Sequence, residues 1–123
     1  MRAQAQAEVS ALLRTYFEGL YYGDPERLRS VFHPRALLFG EVAGTRYRSS
    51  VEDFLDAISP RHSPHARGEE FRMAALEVQL MNRVAYVRAH CPTLGSNCLD
   101  YLALMHDGER WLITNKLFTP LDP

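Results

Sequence analysis

Asp100 is the residue of this sequence best placed to do chemistry. Leu102 and Leu104 follow it at two-residue steps, so a strand here turns all three side chains to one apolar face. A carboxylate that faces an enclosed apolar space is desolvated, its pKa rises, and it can serve as general base or acid. The alternative is a structural carboxylate bonded to a tyrosine hydroxyl, an arginine or backbone amides. Two catalytic partners are candidates. His33, just before Pro34, either carries protons near neutral pH or complements the dipole of a helix that ends there. Tyr16 either donates to a developing oxyanion or is a core tyrosine with a satisfied hydroxyl. His90 lies near a strand end, and a His–Asp pair with Asp100 would be the chemically useful constellation.

The last strand places Trp111, Ile113 and Asn115 in one phase, facing the same space as Asp100, and Asn115 is the odd polar member of that face. Leu112, Thr114, Lys116 and Phe118 fall in the other phase and are assigned to the outer side, with Tyr101 and Met105. The expected ligand contacts are Trp111, Asn115, Phe17, Tyr22, Phe32, Leu102, Phe54 and His90. Cys91 and Cys98 lie symmetrically about a turn-like stretch, Pro92 to Asn97. If the flanking strands pair, the sulfurs can meet and form a bond under oxidation, whereas a reducing compartment leaves them free. Glycine-rich phosphate loops, a nucleophile elbow and zinc-ligand spacings are absent from the sequence, so neither a cofactor nor a metal is expected.

These residues need elements to position them. Val9, Leu12, Leu13, Tyr16, Phe17 and Leu20 recur at three- and four-residue steps and predict a helix over about Gln4 to Tyr22, ended by Gly23. Asp24-Pro25 caps and opens a short second helix that carries Leu28, Val31 and Phe32 inward and stops at His33-Pro34. Ala36 to Val42 reads as a strand, Ala43-Gly44 as a turn and Thr45 to Arg48 as its return. Ser50, with Asp53 three residues on, opens a third helix carrying Val51, Phe54, Leu55 and Ile58. Ser59 to Gly68 is a loop, and the stretch from Thr93 to Asn97 looks irregular. Beyond the first loop the period becomes two, in strands around Leu76–Leu80, Ala85–His90, Asp100–Met105 and Trp111–Phe118. Helices first and hairpin-linked strands later imply an α+β fold, since antiparallel strands need no crossover helices.

Composition narrows the function classes. A chain of 123 residues fits one domain, residues 1–123. A net charge of −1 argues against nucleic-acid binding, which calls for a clustered basic excess. No apolar run is long enough to span a bilayer, and the polar stretch from Met1 to Glu8 has no signal-peptide character, so a cytoplasmic location is expected.

Several strings, in order, resemble the NTF2-like superfamily and within it the SnoaL-like and "putative lumazine-binding" branch. They are Tyr16-Phe17-Glu18-Gly19-Leu20-Tyr21-Tyr22-Gly23-Asp24, Phe32-His33-Pro34-Arg35-Ala36, Asp100-Tyr101-Leu102-Ala103-Leu104 and Gly108 through Phe118. The resemblance implies a cone: three N-terminal helices on a strongly curved mixed, mostly antiparallel sheet enclosing a pocket, with a homodimer made through the outer face of the sheet. Relatives include cofactor-independent isomerases, dehydratases and polyketide cyclases, and transport adaptors, and catalytic residues migrate among them. Three functional readings follow. The chain binds a small apolar or aromatic organic ligand, or it is an acid–base enzyme with Asp100 as base, or it is a protein-interaction module with a filled pocket.

Overall fold

The computed structural model describes residues 2–121. Helix α1 (Arg2–Tyr22) and the short α2 (Pro25–Val31) lead into β1 (Phe32–Val42) and β2 (Thr45–Ser50). Then follow α3 (Val51–Ala57), a 3₁₀ turn at Pro60–His62, and four strands: β3 (Ala74–Met81), β4 (Val84–Thr93), β5 (Ser96–His106) and β6 (Trp111–Pro120). The strands form one sheet in the order β2-β1-β6-β5-β4-β3, antiparallel except where β1 runs parallel to β6. The helices cover its concave face.

Local chemistry explains the boundaries. Gly23 takes φ +61°, and a Cβ there would lie 2.4 Å from the Ser59 carbonyl oxygen, so only glycine ends α1 in this way. Asp24 accepts from the amides of Glu26 and Arg27. Ser50 accepts from the Asp53 amide at the start of α3. The core is a continuous cluster in which Tyr16, Leu28, Phe32, Leu38, Leu102, Leu104 and Ile113 are almost wholly buried.

Three expectations are corrected. Strand β1 starts at Phe32, not Ala36; Phe32 pairs with Ile113 before the register slips, resuming at Leu37–Asn115, because Pro34 has no amide to donate to a ladder. Thr93 to Asn97 is regular: Thr93 pairs with Ser96 across a tight turn at Leu94 (φ 52°) and Gly95 (φ 79°), the positive-φ pair of a type I′ hairpin. The third correction lies in β6. Leu104 pairs with Ile113 but Ala103 pairs with Asn115, so Thr114 is an extra residue, a β-bulge, whose hydroxyl donates to the Ala103 carbonyl at 3.1 Å. Past the bulge every side chain of β6 changes face. Lys116 and Phe118 point inward, whereas Asn115 and Leu117 point outward.

Candidate functional site

Strand parity sets the inner face. In β4 the buried residues are Ala85, Val87, Ala89 and Cys91, and opposite them on β5 stand Leu104, Leu102, Asp100 and Cys98. Asp100 pairs with Phe118 on its other side, and Leu102 with Lys116. The bulge at Thr114 thus delivers the only lysine of the chain, against thirteen arginines, to the carboxylate at the centre of the sheet.

Asp100 is 2% exposed and Lys116 7% exposed. Lys116 Nζ lies 3.7 Å from Asp100 Oδ2. The same oxygen accepts a 2.6 Å hydrogen bond from the Tyr16 hydroxyl. Lys116 Nζ also sits 5.0 Å from the Phe54 ring centre and 5.4 Å from those of Tyr16 and Phe118, so aromatic faces replace part of its lost hydration. A buried charge persists only when compensated: Asp100 is paired with Lys116 and hydrogen-bonded by Tyr16, and Lys116 is paired with Asp100 and faced by the three rings. Burial first, then the Asp100 charge, holds the Tyr16 hydroxyl well above the ordinary tyrosine pKa, so it acts as a donor. Burial likewise pushes the Cys91 thiol up, with Asp100 adding and Lys116 opposing.

Asp100 and Lys116 form part of the wall of a pocket of about 290 Å³. Leu20, Leu38, Tyr47, Phe54, Ile58 and Phe118 give it an apolar and aromatic body, and Leu94, Cys91 and Cys98 close it on the hairpin side. Leu94 holds its left-handed backbone with help from Glu69, whose carboxylate accepts from the Leu94 amide at 2.9 Å.

Of the residues singled out in the sequence, Asp100 and Phe54 line this pocket, and Tyr16 reaches it through Asp100. Phe17, Phe32 and Leu102 are core residues just behind it; Phe32 packs edge-on against both Tyr16 and Phe54. The others lie elsewhere. His33 accepts from the Arg35 amide in its own turn. His90 is paired with Leu99, one position from the Ala89–Asp100 pair, so parity puts its ring on the opposite face, where it bonds Asn97. Tyr22 is exposed and packs edge-on against Tyr21 and at a tilt against His65. Asn115 faces outward because of the bulge. Trp111 is inward but lines a different cavity of about 370 Å³ with Arg2, Glu8, Arg83 and His106. Lys116 is the functional candidate that simple alternation misassigns. Two signals point to it: a buried carboxylate requires a cation, and the chain has a single lysine. Among the described residues no group of three or more His, Cys, Asp or Glu side chains is placed to hold a metal.

Comparison with known proteins now has a geometry to stand beside. Residues 4–119 match the protein family described as "Putative lumazine-binding". Among solved structures, an NTF-2 like protein of unknown function from Silicibacter pomeroyi DSS-3 shares 21% identity, with 98% of each chain covered and a TM-score of 0.83. An NTF2-like protein of unknown function from Shewanella baltica OS155 shares 18%, covering 100% of this chain and 98% of the other, with a TM-score of 0.85. A domain of unknown function with a cystatin-like fold from Nostoc punctiforme PCC 73102 shares 16%, over 93% and 75% of the two chains, with a TM-score of 0.69. No curated protein matches the sequence.

Proposed function

The chain belongs to the "Putative lumazine-binding" family and has the NTF2-like fold, and from that premise we propose that it is a homodimeric binding protein for a small, flat, apolar or aromatic organic molecule. One observation carries the reading: a mainly apolar, aromatic-lined pocket of about 290 Å³ whose charged wall is a single buried ion pair, Asp100–Lys116. This is the composition of a site that takes up a ligand by area and orients it by one or two polar groups. The volume suits a mono- or bicyclic ring system, and an acceptor atom on its edge, a carbonyl or carboxylate oxygen, meets the Lys116 ammonium. An open space of this size tells against a pocket filled by its own side chains.

The family description makes lumazine, a bicyclic aromatic carbonyl compound, the first probe, with aromatic carboxylates of similar size beside it. Calorimetric titration of the intact protein is expected to show saturable binding of one ring compound per chain, weakened about tenfold or more in Lys116→Met, the loss of a charge-assisted contact. Absence of saturable binding across the panel overturns the reading.

A second reading is supported by the convergence of Asp100, Tyr16 and Lys116: a cofactor-independent isomerase, dehydratase or cyclase. Asp100 would take a proton from a bound carbonyl compound while Lys116 stabilises the oxyanion and Tyr16 positions the carboxylate. Turnover of a bound ketone that Asp100→Asn abolishes while retaining affinity would establish it; binding without turnover leaves the first reading in force.

A further inference from the structure

We propose that Cys91 and Cys98 are a reversible redox modification site: a cross-strand disulfide forms between them in the wall of the pocket. The register makes them direct partners on adjacent antiparallel strands. Directly opposed residues in such a ladder have Cα atoms about 4.5–5.5 Å apart, inside the window of about 4.4–6.8 Å that a disulfide spans. Parity turns both side chains to the concave face, in phase with Ala89 and Asp100, and both contribute to the pocket surface. The tight turn at Leu94-Gly95, three residues from either cysteine, pins this register, so the two cysteines stay on facing positions without any strand slipping.

The two thiols differ, and the difference gives the order of events. Cys91 is buried, and its thiol resists ionisation. Cys98 is half-buried at the pocket and has the Ser96 hydroxyl oxygen 3.1 Å from its sulfur, so a thiolate there has a hydrogen-bond donor. Cys98 is therefore the attacking group and Cys91 the resolving one. The oxidant is a low-molecular-weight disulfide of the glutathione class, RSSR. Cys98 thiolate attacks one sulfur of RSSR, forming a Cys98–SR mixed disulfide and releasing RS⁻. Cys91 then gives its proton to the RS⁻ released in the first step and attacks the Cys98 sulfur, expelling the second RS⁻. Solvent returns the Cys98 proton to the second RS⁻, so two protein thiols and RSSR become one protein disulfide and two RSH. The protein pair loses two electrons and the oxidant gains them. Because Cys98 opens to the pocket, incoming thiols reverse the reaction along the same path.

The inference does not depend on what the pocket binds, and its test uses thiol chemistry alone. The folded protein is incubated with oxidised glutathione, quenched with acid, and read by intact mass and by peptide mapping. The expected result is loss of both titratable thiols, a mass lower by two hydrogens per chain, a linked Cys91–Cys98 peptide pair, and full recovery with dithiothreitol. Cys91→Ala is expected to stop at a stable glutathione adduct on Cys98, whereas Cys98→Ser leaves Cys91 unmodified. A wild-type adduct that persists on Cys98, a Cys98–Cys98 link between chains, or two thiols that stay free would each overturn the proposal, and the wild-type map alone decides this if a variant fails to fold.

Discussion

At the scale of single residues, the site is organised by one oxygen atom. Asp100 Oδ2 receives the Tyr16 hydroxyl and faces Lys116 Nζ, both nearly out of solvent. Tyr16→Phe removes the neutral donor while leaving the ion pair and the ring packing. A hydrogen bond to a charged group is worth about 1.5–3 kcal/mol, and the variant is expected to lose about that much stability near neutral pH. The same substitution carries a pH signature. The folded-state pKa of Tyr16 is raised above its unfolded value of 10.0, so its contribution is complete well below pH 10 and is lost as pH rises through that value towards the folded one, where the unfolded chain ionises and the folded one does not. Urea unfolding of both proteins should therefore show a gap that shrinks by about 1 kcal/mol between about pH 10 and about pH 11. The other five tyrosines stay in both proteins and cancel in that difference. A gap that holds constant through this range would show that Tyr16 is not the protonated donor described here.

At the scale of elements, what could be read in the sequence and what could not have separate physical causes. The helices were legible because their signals are local: the 3.6-residue period of α1, the Asp24-Pro25 cap and the Ser50 cap each act within one turn and appear where expected. Asp100 was legible for the same reason, since β5 keeps strict alternation from Cys98 to Leu104. The other half of the ion pair was not. A two-residue period carries no record of an inserted residue, and the bulge at Thr114 becomes visible only when β5 is laid beside β6. That one residue inverts Asn115, Lys116, Leu117 and Phe118 together, so the expected lining residue Asn115 and the expected outer residue Lys116 exchange places. Whether His33 or His90 reaches Asp100 could not be read, because reach between elements, unlike phase within one, leaves no trace in spacing. The bulge is open to a direct test. Thr114→Ala keeps the extra residue and loses only its bond to the Ala103 carbonyl, a cost of about 0.5–1.5 kcal/mol. Deleting Thr114 removes the extra residue and leaves Asn115 opposite Ala103 and Lys116 opposite Leu102, so the ion pair survives and the cost stays well short of the roughly 3–5 kcal/mol of a stranded buried charge. Thermal unfolding checks both, and a loss of that larger size for the deletion would be incompatible with Thr114 being the extra residue that sets the face of Lys116.

At the scale of the whole molecule, the bulge also shapes the outer surface. As Lys116 and Phe118 turn in, Leu117 turns out and stands, half exposed, beside Tyr101, with Phe39 of β1 on its other flank. Leu37, Tyr86 and Met105 extend this apolar surface, and Tyr86 stacks on Tyr101 at 5.9 Å. A sheet that is apolar on both faces needs cover on both, and the helices supply it on one side only. A second copy of the chain is the proposed cover on the other. A net charge of −1 opposes such self-association only weakly, and a two-fold contact lets one patch serve both partners. Sedimentation at tens of micromolar chain is expected to give twice the chain mass for the wild type and the single-chain mass for Leu117→Arg, which places a charge from each chain in the proposed apolar contact. Since Leu117 and the pocket lie on opposite faces of one sheet, Leu117→Arg should keep its circular dichroism and bind the ring compound within a few-fold of the wild type. A wild-type protein that sediments as one chain, or a Leu117→Arg variant that stays dimeric, would remove the sheet face from the assembly and leave its exposed apolar residues unexplained.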